Sequence, residues 1–587
     1  MSRQPTAMHV ARIRSGHVDK AGRRREYESR YLRRTYRADG EVKHETLANL
    51  SGLPDAAVDA IEAALKGTPL VPADAAVTIT RSVPHGHVAA VHAQAKALGL
   101  PGLLGPACRH RDLALALVIS RVIRPNSKLS RLTWWTDTTL GTDLGVAEAS
   151  TDELYAAMDW LLDRQDAIER TLAGRHLAAE ANPSRMALFD LSSSWVEGRC
   201  CPLAARGYSR DGKKGKAQIE YGLLTDPAGR PVAVRVFDGN TADPTAFVAA
   251  VDIVREKFGL AQLVMVGDRG MITSARIDAL KELDEDIGWV TALRAPAIAK
   301  LAAEDGPLQM SLFDQQDLAE IRHPDYPGER LIACRNPLLA AERARKRAEL
   351  LDATQALLDQ VAARVEGGSL TGADRIGIAL GKVINKYKVG KHFHLTITDT
   401  SLTVQRHQSQ IDAEAALDGV YVLRTSVPAG QLDPPAVVVA YKNLAHLERD
   451  FRIIKTDDLD LRPIHHRLTD RVKAHVLICM LACYLAWHLR HSWAPLTFTD
   501  QAPPQRDNPV APARRSAHAQ AKASHQHDPF GQPYRSFRGL LEHLATLTRN
   551  EVRFAGTNTT VPLLAEPTHT QRQAFELIGA TIPLTLK

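Results

Sequence analysis

Between Met186 and Arg294 short apolar runs alternate with amphipathic segments, and this alternation constrains the fold more than any other feature of the chain. MALFDLSS (186–193) reads as a strand. IEYGLLTD (219–226), the turn Pro227-Ala228-Gly229 and RPVAVRVFDG (230–239) read as a hairpin. TAFVAAVDIVREKFG (245–259) is an amphipathic helix stopped by glycine. QLVMVGDRGM (262–271) is a buried strand with its turn, SARIDALKEL (274–283) a helix, and IGWVTALR (287–294) another strand. Strand, hairpin, helix, strand, helix, strand is an α/β order. Two strands end on an aspartate: Asp190 follows Met186-Ala187-Leu188-Phe189, and Asp268 follows Leu263-Val264-Met265-Val266-Gly267. A carboxylate closing an apolar strand is costly unless it is hydrogen-bonded or metal-bound. Sites in open α/β sheets gather outside strand ends, so two such aspartates can meet at one point.

A third acid lies on a later helix. Asp433-Pro434-Pro435 supplies a cap and a first-turn proline, and AVVVAYKNLAHLERDFRIIK (436–455) follows. Tyr441, Leu444, Glu448, Arg452 and Lys455 are spaced three, four, four and three, which places them on one stripe. A buried face would be apolar, and a solvated one would not keep Tyr441 and Leu444 in register with charges. The stripe reads as a face turned toward a metal and a phosphate, with Glu448 as a ligand and Arg452 and Lys455 on phosphates. Phosphodiester displacement supplies a reason for three acids: two Mg²⁺ ions about 3.5–4 Å apart clamp the attacking and leaving oxygens. Mg²⁺ takes hard oxygen ligands and keeps several waters, so a few carboxylates suffice.

Composition by itself fits many soluble proteins, and a basic arm at the N-terminus reads either as a footprint for polyanions or as a solvated tail. Apolar residues make up 44%, enough for sizeable cores, and the length suggests three or four domains. The net charge is +7, and residues 1–50 carry twelve Lys/Arg against six Asp/Glu, so most of the excess sits in a basic N-terminal arm. The six cysteines form neither a CxxC pair nor a disulfide framework, which argues against a zinc site and for reduced thiols. The first residues show no signal peptide, and VLICMLACYLAW (476–487) is too short to span a bilayer and reads as a buried helix. The expected location is the cytoplasm, on the nucleoid.

Around the α/β unit the chain divides as follows. Residues 1–52 form a basic β-rich element, with Arg23, Arg24, Arg25, Arg33, Arg34 and Arg37 as candidate contacts to DNA ends. Residues 53–180 are mostly helical, 181–299 and 416–495 are two halves of a core, and 300–415 interrupt it. The interruption holds a charged helix (338–368), read as solvated or as packing a dimer, and a strand-like stretch at 391–405. Residues 496–535 form a linker, with 501–533 rich in Pro, Ala, Gln and His, and 536–587 a C-terminal segment.

The segments LFDLSSS, GLLTDPAGRPVAVRVFDGNTAD, MVGDRGM, YKNLAHLERDFRIIK and RPIHHRLTDRVKAHVLICML together resemble bacterial insertion-sequence transposases of the DDE superfamily. The nearest likeness is to the group with a Tyr-(2)-Arg-(3)-Glu-(6)-Lys signature. Tyr441, Glu448 and Lys455 keep that spacing, whereas Leu444 stands where the group has Arg, and Arg452 is the candidate substitute. The likeness covers about 186–490. It implies an RNase H-like core interrupted by a β-rich and helical insertion, with Asp190, Asp268 and Glu448 as catalytic metal ligands. It also implies Mg²⁺ (with Mn²⁺ substituting), double-stranded DNA as partner, a homodimer on paired ends, and cut-and-paste transposition. An RNase H-like nuclease that cuts without joining and a catalytically inactive DNA-binding derivative are the competing readings.

Other residues have two readings. The loop Arg210–Lys216, with Lys213, Lys214 and Lys216, tracks a DNA backbone or is simply solvated. Arg269 contacts phosphate or neutralises the acids; Tyr441 positions DNA or packs beneath Glu448. His465-His466 is better read as a helix start than as a metal site, and Trp134, Trp135 and Trp195 as core rather than base-stacking residues.

Overall fold

The computed structural model describes all residues except 1–6, 19–23, 39, 69–75, 179, 183, 259–262, 274–276, 279–286, 304, 505, 529, 556–558 and 587, together with a few side chains. Arg23 and most of the helix expected at 274–283 lie outside the described residues, as does the Arg25 side chain. The chain divides into two compact units, one of 1–83 with 548–566 and one of 84–547 with 567–587.

In the first unit β1 (Ala7–Val18), β2 (Arg24–Ala38) and β3 (Glu41–Asn49) form an antiparallel sheet in that order. Aromatic and β-branched residues alternating with arginine give β2 its extended form. The helix Asp55–Leu65 is tied to the sheet by ion pairs from Arg12 to Asp59 and from Arg30 to Asp55. Within the stretch expected to be helical, Val77–Pro84 is instead a strand, β4, in a second sheet with Thr548–Phe554 and Thr560–Leu564.

The second unit is a mixed α/β structure with one eight-stranded sheet. Its strands are β5 (Met186–Trp195), β6 (Gln218–Thr225), β7 (Pro231–Asp238), β8 (Leu263–Val266), β9 (Ile287–Ala292), β10 (Leu318–Ile321), β11 (Arg330–Arg335) and, beyond a separate hairpin of β12 (Phe393–Ile397) and β13 (Leu402–Arg406), β14 (Val420–Thr425). The order is β10-β11-β14-β9-β8-β5-β6-β7. β5, β8 and β9 are mutually parallel, and the other pairs are antiparallel. β6 is buried along its whole length, its polar residues Gln218, Glu220 and Thr225 included. Behind the sheet, Thr469–Ser492 packs against helices Arg109–Ile123 and Thr151–Leu162. By length and composition this helix could cross a membrane, but 83% of its apolar window is buried inside the protein, as a core helix requires.

Three expectations need correction. The insertion is not a block separate from the sheet: β10 and β11 fall within 300–415 yet extend the core sheet through β14. The remainder is mainly helical (Pro337–Glu366, Ala373–Val383 and Gln408–Ala415), and its apolar residues, such as Leu358, Ile376 and Phe393, form their own core with the β12–β13 hairpin. The linker expected at 501–533 is held to the fold. Lys442 Nζ donates to the carbonyls of Pro509, Val510 and Ala511 at 2.6–3.0 Å, and buried Lys522, on helix Ala517–His525, donates to Ala494 and Thr497. Finally, the helix expected over 436–455 is two, Pro434–Lys442 and Leu444–Arg452, continued by a π turn over Ile453–Asp457.

Candidate active site

Parallel pairing places the first two acids. Leu188 of β5 pairs with Val266 of β8. Asp190 and Asp268 each stand two residues further along, and side chains two apart share a face. Asp190 therefore lies on β5 and Asp268 in the turn that follows the adjacent strand, close enough for the charge of Asp268 to act on Asp190. Gly267 brings the β8 chain close to β5, with a built Cβ only 3.6 Å from the Phe189 carbonyl oxygen. After β8 the chain turns so that Asp268 Oδ1 accepts from the N–H groups of Gly270 and Met271, the latter at 3.1 Å, while Thr291 Oγ1 donates to the Asp268 carbonyl. Those bonds fix the carboxylate and leave Oδ2 without a hydrogen bond among the described residues.

The helix Pro434–Lys442 packs over β9, β11 and β14, and Leu444–Arg452 packs over β5, which carries Glu448 to the side of Asp190. Asp190, Asp268, Arg269, Tyr441, Leu444 and Glu448 line one cleft of about 1210 Å³. Burial, and beyond it the negative charges of Asp268 and Glu448, push the Asp190 carboxyl up to about 7, against the opposing pull of the Leu191 N–H and Arg210. Arg210 itself is ion-paired with Glu220 at 3.2 Å. No ion pair joins Asp190, Asp268 or Glu448 to a cation among the described residues, although basic residues line other parts of the cleft. Burial and Asp268 hold the Tyr441 hydroxyl up at about 12, so it remains a hydrogen-bond donor at neutral pH.

The rest of the expected stripe does not reach the cleft. Arg452 is exposed and outside the lining. Lys455 is buried and ion-paired with Asp211 at 2.9 Å, beside Arg462. The π turn is the cause: its wider hydrogen-bonded loop, seen in the 3.3 Å bond from Asp458 N–H to the Ile453 carbonyl, turns Lys455 off the stripe. Lys213, Lys214 and Lys216 are exposed and do not line the cleft. Lys216 pairs with Glu197 at 2.8 Å, and Lys213 lies 5.3 Å from the Trp195 ring centre. In the other unit Arg24 pairs with Glu26, Arg34 with Glu45, and Arg33 lies near the Tyr31 ring, while Arg37 is exposed. Trp134 and Trp135 are core residues, and His466 packs on His475 and Tyr155. The reading from sequence missed the far wall of the cleft: Arg343, Lys346, Arg347 and Leu350 of helix Pro337–Glu366. Their i, i+3, i+4, i+7 spacing was the available signal.

Three carboxylates with few internal partners are the donor chemistry of a hard divalent cation. Among the described residues no group of three or more His, Cys, Asp or Glu side chains is placed to hold a metal ion.

Residues 192–485 match the family model described as transposase DDE domain, and residues 18–70 match that described as IS1634 family transposase, N-terminal domain. The first match takes in half of the chain, so the class is that of a DDE transposase. The chain belongs to the insertion-sequence DDE transposases, with an N-terminal domain of the IS1634 family. The matched span includes Asp268 and Glu448 and begins two residues after Asp190. Transposase domains of this class use divalent metal ions. No curated protein matches the chain. A solved piggyBac transposase synaptic complex with hairpin DNA is similar at 9% identity over 74% of this chain and 70% of that one, with a TM-score of 0.32. A likeness of that size adds nothing to the assignment.

Proposed function

We propose that this protein cuts DNA at the ends of an insertion sequence and joins the freed 3′ ends to target DNA, with Asp190, Asp268 and Glu448 holding Mg²⁺. The observation that carries the reading is that Asp190 on β5, Asp268 in the turn just after the adjacent parallel strand β8, and Glu448 line one cleft. The strand order β7-β6-β5-β8-β9, an antiparallel meander continued by two parallel strands, supports an RNase H-like core. When bound, the cations would activate the attacking oxygen and stabilise the leaving one. The chain's own groups do the rest. The Gly270 and Met271 N–H groups orient Asp268, the sheet holds Asp190, and Tyr441 offers a hydrogen bond from the wall. Double-stranded DNA, a homodimer on paired ends and a nucleoid-associated cytoplasmic location belong to the same proposal, as does end binding by the arginines of β2.

A strand-transfer assay with a pre-cleaved end tests it. The native protein joins that end to a target plasmid in Mg²⁺ or Mn²⁺, whereas Asp190→Asn, Asp268→Asn and Glu448→Gln each lower the rate by roughly 10³-fold or more, on the scale of losing one transition-state charge stabiliser. Cleavage without joined product would give the nuclease reading instead. Normal nicking by the three variants would sink the site assignment.

A further inference from the structure

The cleft is far larger than a pair of metal ions needs, and its walls carry opposite charge. On the core side stand Asp190, Asp268 and Glu448. On the insertion side the helix Pro337–Glu366 presents Arg343, Lys346, Arg347 and Leu350, one face of a single helix. The cations lining the cleft fall into two sets. Arg347 is ion-paired with Asp418, Lys391 with Glu414, and Lys442 donates to three carbonyls, so these three are engaged in holding the fold. Arg269, Arg343 and Lys346 make no ion pair among the described residues, and Arg343 and Lys346 are exposed. The opposite face of the same helix shows that pairing was available: Arg345 is ion-paired with both Glu342 and Glu349. Cations left unpaired on the one face that borders an acidic cleft are placed for an external polyanion.

We propose that Arg343 and Lys346, with Arg269 opposite them, bind the phosphates of the DNA strand being processed, so that the insertion forms one wall of the substrate channel. This rests on the transposase reading for the identity of the polyanion. Acids that hold cations and cations that hold phosphates then divide one strand between them: the scissile phosphate lies on the core side and its neighbours along the helix.

The test is DNA binding without chemistry. Affinity for a fluorescein-labelled linear duplex is measured in EDTA across a salt series for the native protein, Arg343→Ala/Lys346→Ala, Lys346→Glu and, as control, Arg345→Ala. Removing a cation that neutralises one phosphate lowers the slope of log K against log salt by about 0.9. The expected result is a slope smaller by roughly 1 to 2 for the double variant, weaker binding by Lys346→Glu, and an unchanged slope for Arg345→Ala. Slopes equal to the native one in both cleft variants would overturn the proposal, as would an equal drop in Arg345→Ala. Failure of the function reading shows elsewhere, because it would appear as no Mg²⁺-dependent joining by the native protein whatever the EDTA slopes.

Discussion

Two clusters of like charge lie in the same unit and are settled in opposite ways. In the acidic cleft, Asp190, Asp268 and Glu448 crowd together with no cation paired to them among the described residues. In the helical layer, Arg121, Lys128, Arg131 and His475 are all buried, and every one is bonded inside the protein. Lys128 Nζ donates to His475 Nδ1 at 2.7 Å, Arg131 to the carbonyls of Leu117 and Asn126, and Arg121 to that of Leu459. Burial pushes Lys128 and His475 well below their ordinary pKa ranges. The basic cluster is a structural knot of hydrogen bonds to backbone carbonyls and to the His475 ring. The acidic one has no such internal partners among the described residues.

The largest effect that separates the two is on stability. Lys128→Ala removes the nearer of the two partners of His475 Nδ1, leaving Arg121 at 3.5 Å, and leaves a void, so urea denaturation shows a loss of about 3 kcal/mol. Glu448→Gln, in the cleft, leaves stability within about 0.5 kcal/mol, as for an exposed position. Equal losses would erase the distinction.

A smaller effect, of opposite sign in the two clusters, lies in the pH dependence of the metal-free protein. His475 is held neutral, its folded pKa far below the ordinary 6.5. Its contribution is present above pH 6.5 and is lost on the way down, by about 1.4 kcal/mol for each pH unit below that value. Asp190 has its folded pKa raised from 3.8 to about 7. Its contribution is present below pH 4 and is lost as pH rises toward 7. Melting temperatures followed from pH 4 to 8 show the second slope vanishing in Asp190→Asn and the first surviving.

The smallest effect tests a residue that borders the cleft yet behaves like the knot. Lys442→Met breaks its bonds to Pro509, Val510 and Ala511 and costs about 1–2 kcal/mol, read as earlier proteolysis within 501–533, with the salt slope of DNA binding unchanged.

What was legible in the sequence follows period and range. Strands β5 to β9 were readable because their apolar runs are short and bounded by turns. Asp190 and Asp268 were readable because each closes such a run, and Glu448 because helical spacing puts it in line with Tyr441. Lys455 was misread because a π turn breaks the 3.6-residue period, a local change that no spacing rule signals. β4 was missed because its partners lie more than 450 residues away, beyond any local pattern. The order in 501–533 comes from lysines bonded to backbone carbonyls, while the segment itself has a linker's composition. The cleft face of helix Pro337–Glu366 was hidden by its charge: an unpaired basic stripe and a solvated face look alike until the opposite wall is known.

The insertion's attachment has a consequence of its own. Arg335 of β11 and Val420 of β14 are directly paired, and Asn336 N–H donates to the Gly419 carbonyl at 2.9 Å. Residues 336–419 thus depart and return across one rung of the sheet, like a drawer on a closed runner. Lengthening such an excursion costs little closure entropy. The core sheet would be closed equally well by a short turn, so this rung is a natural splice point, where the excursion can change in length or content while β11 and β14 stay paired.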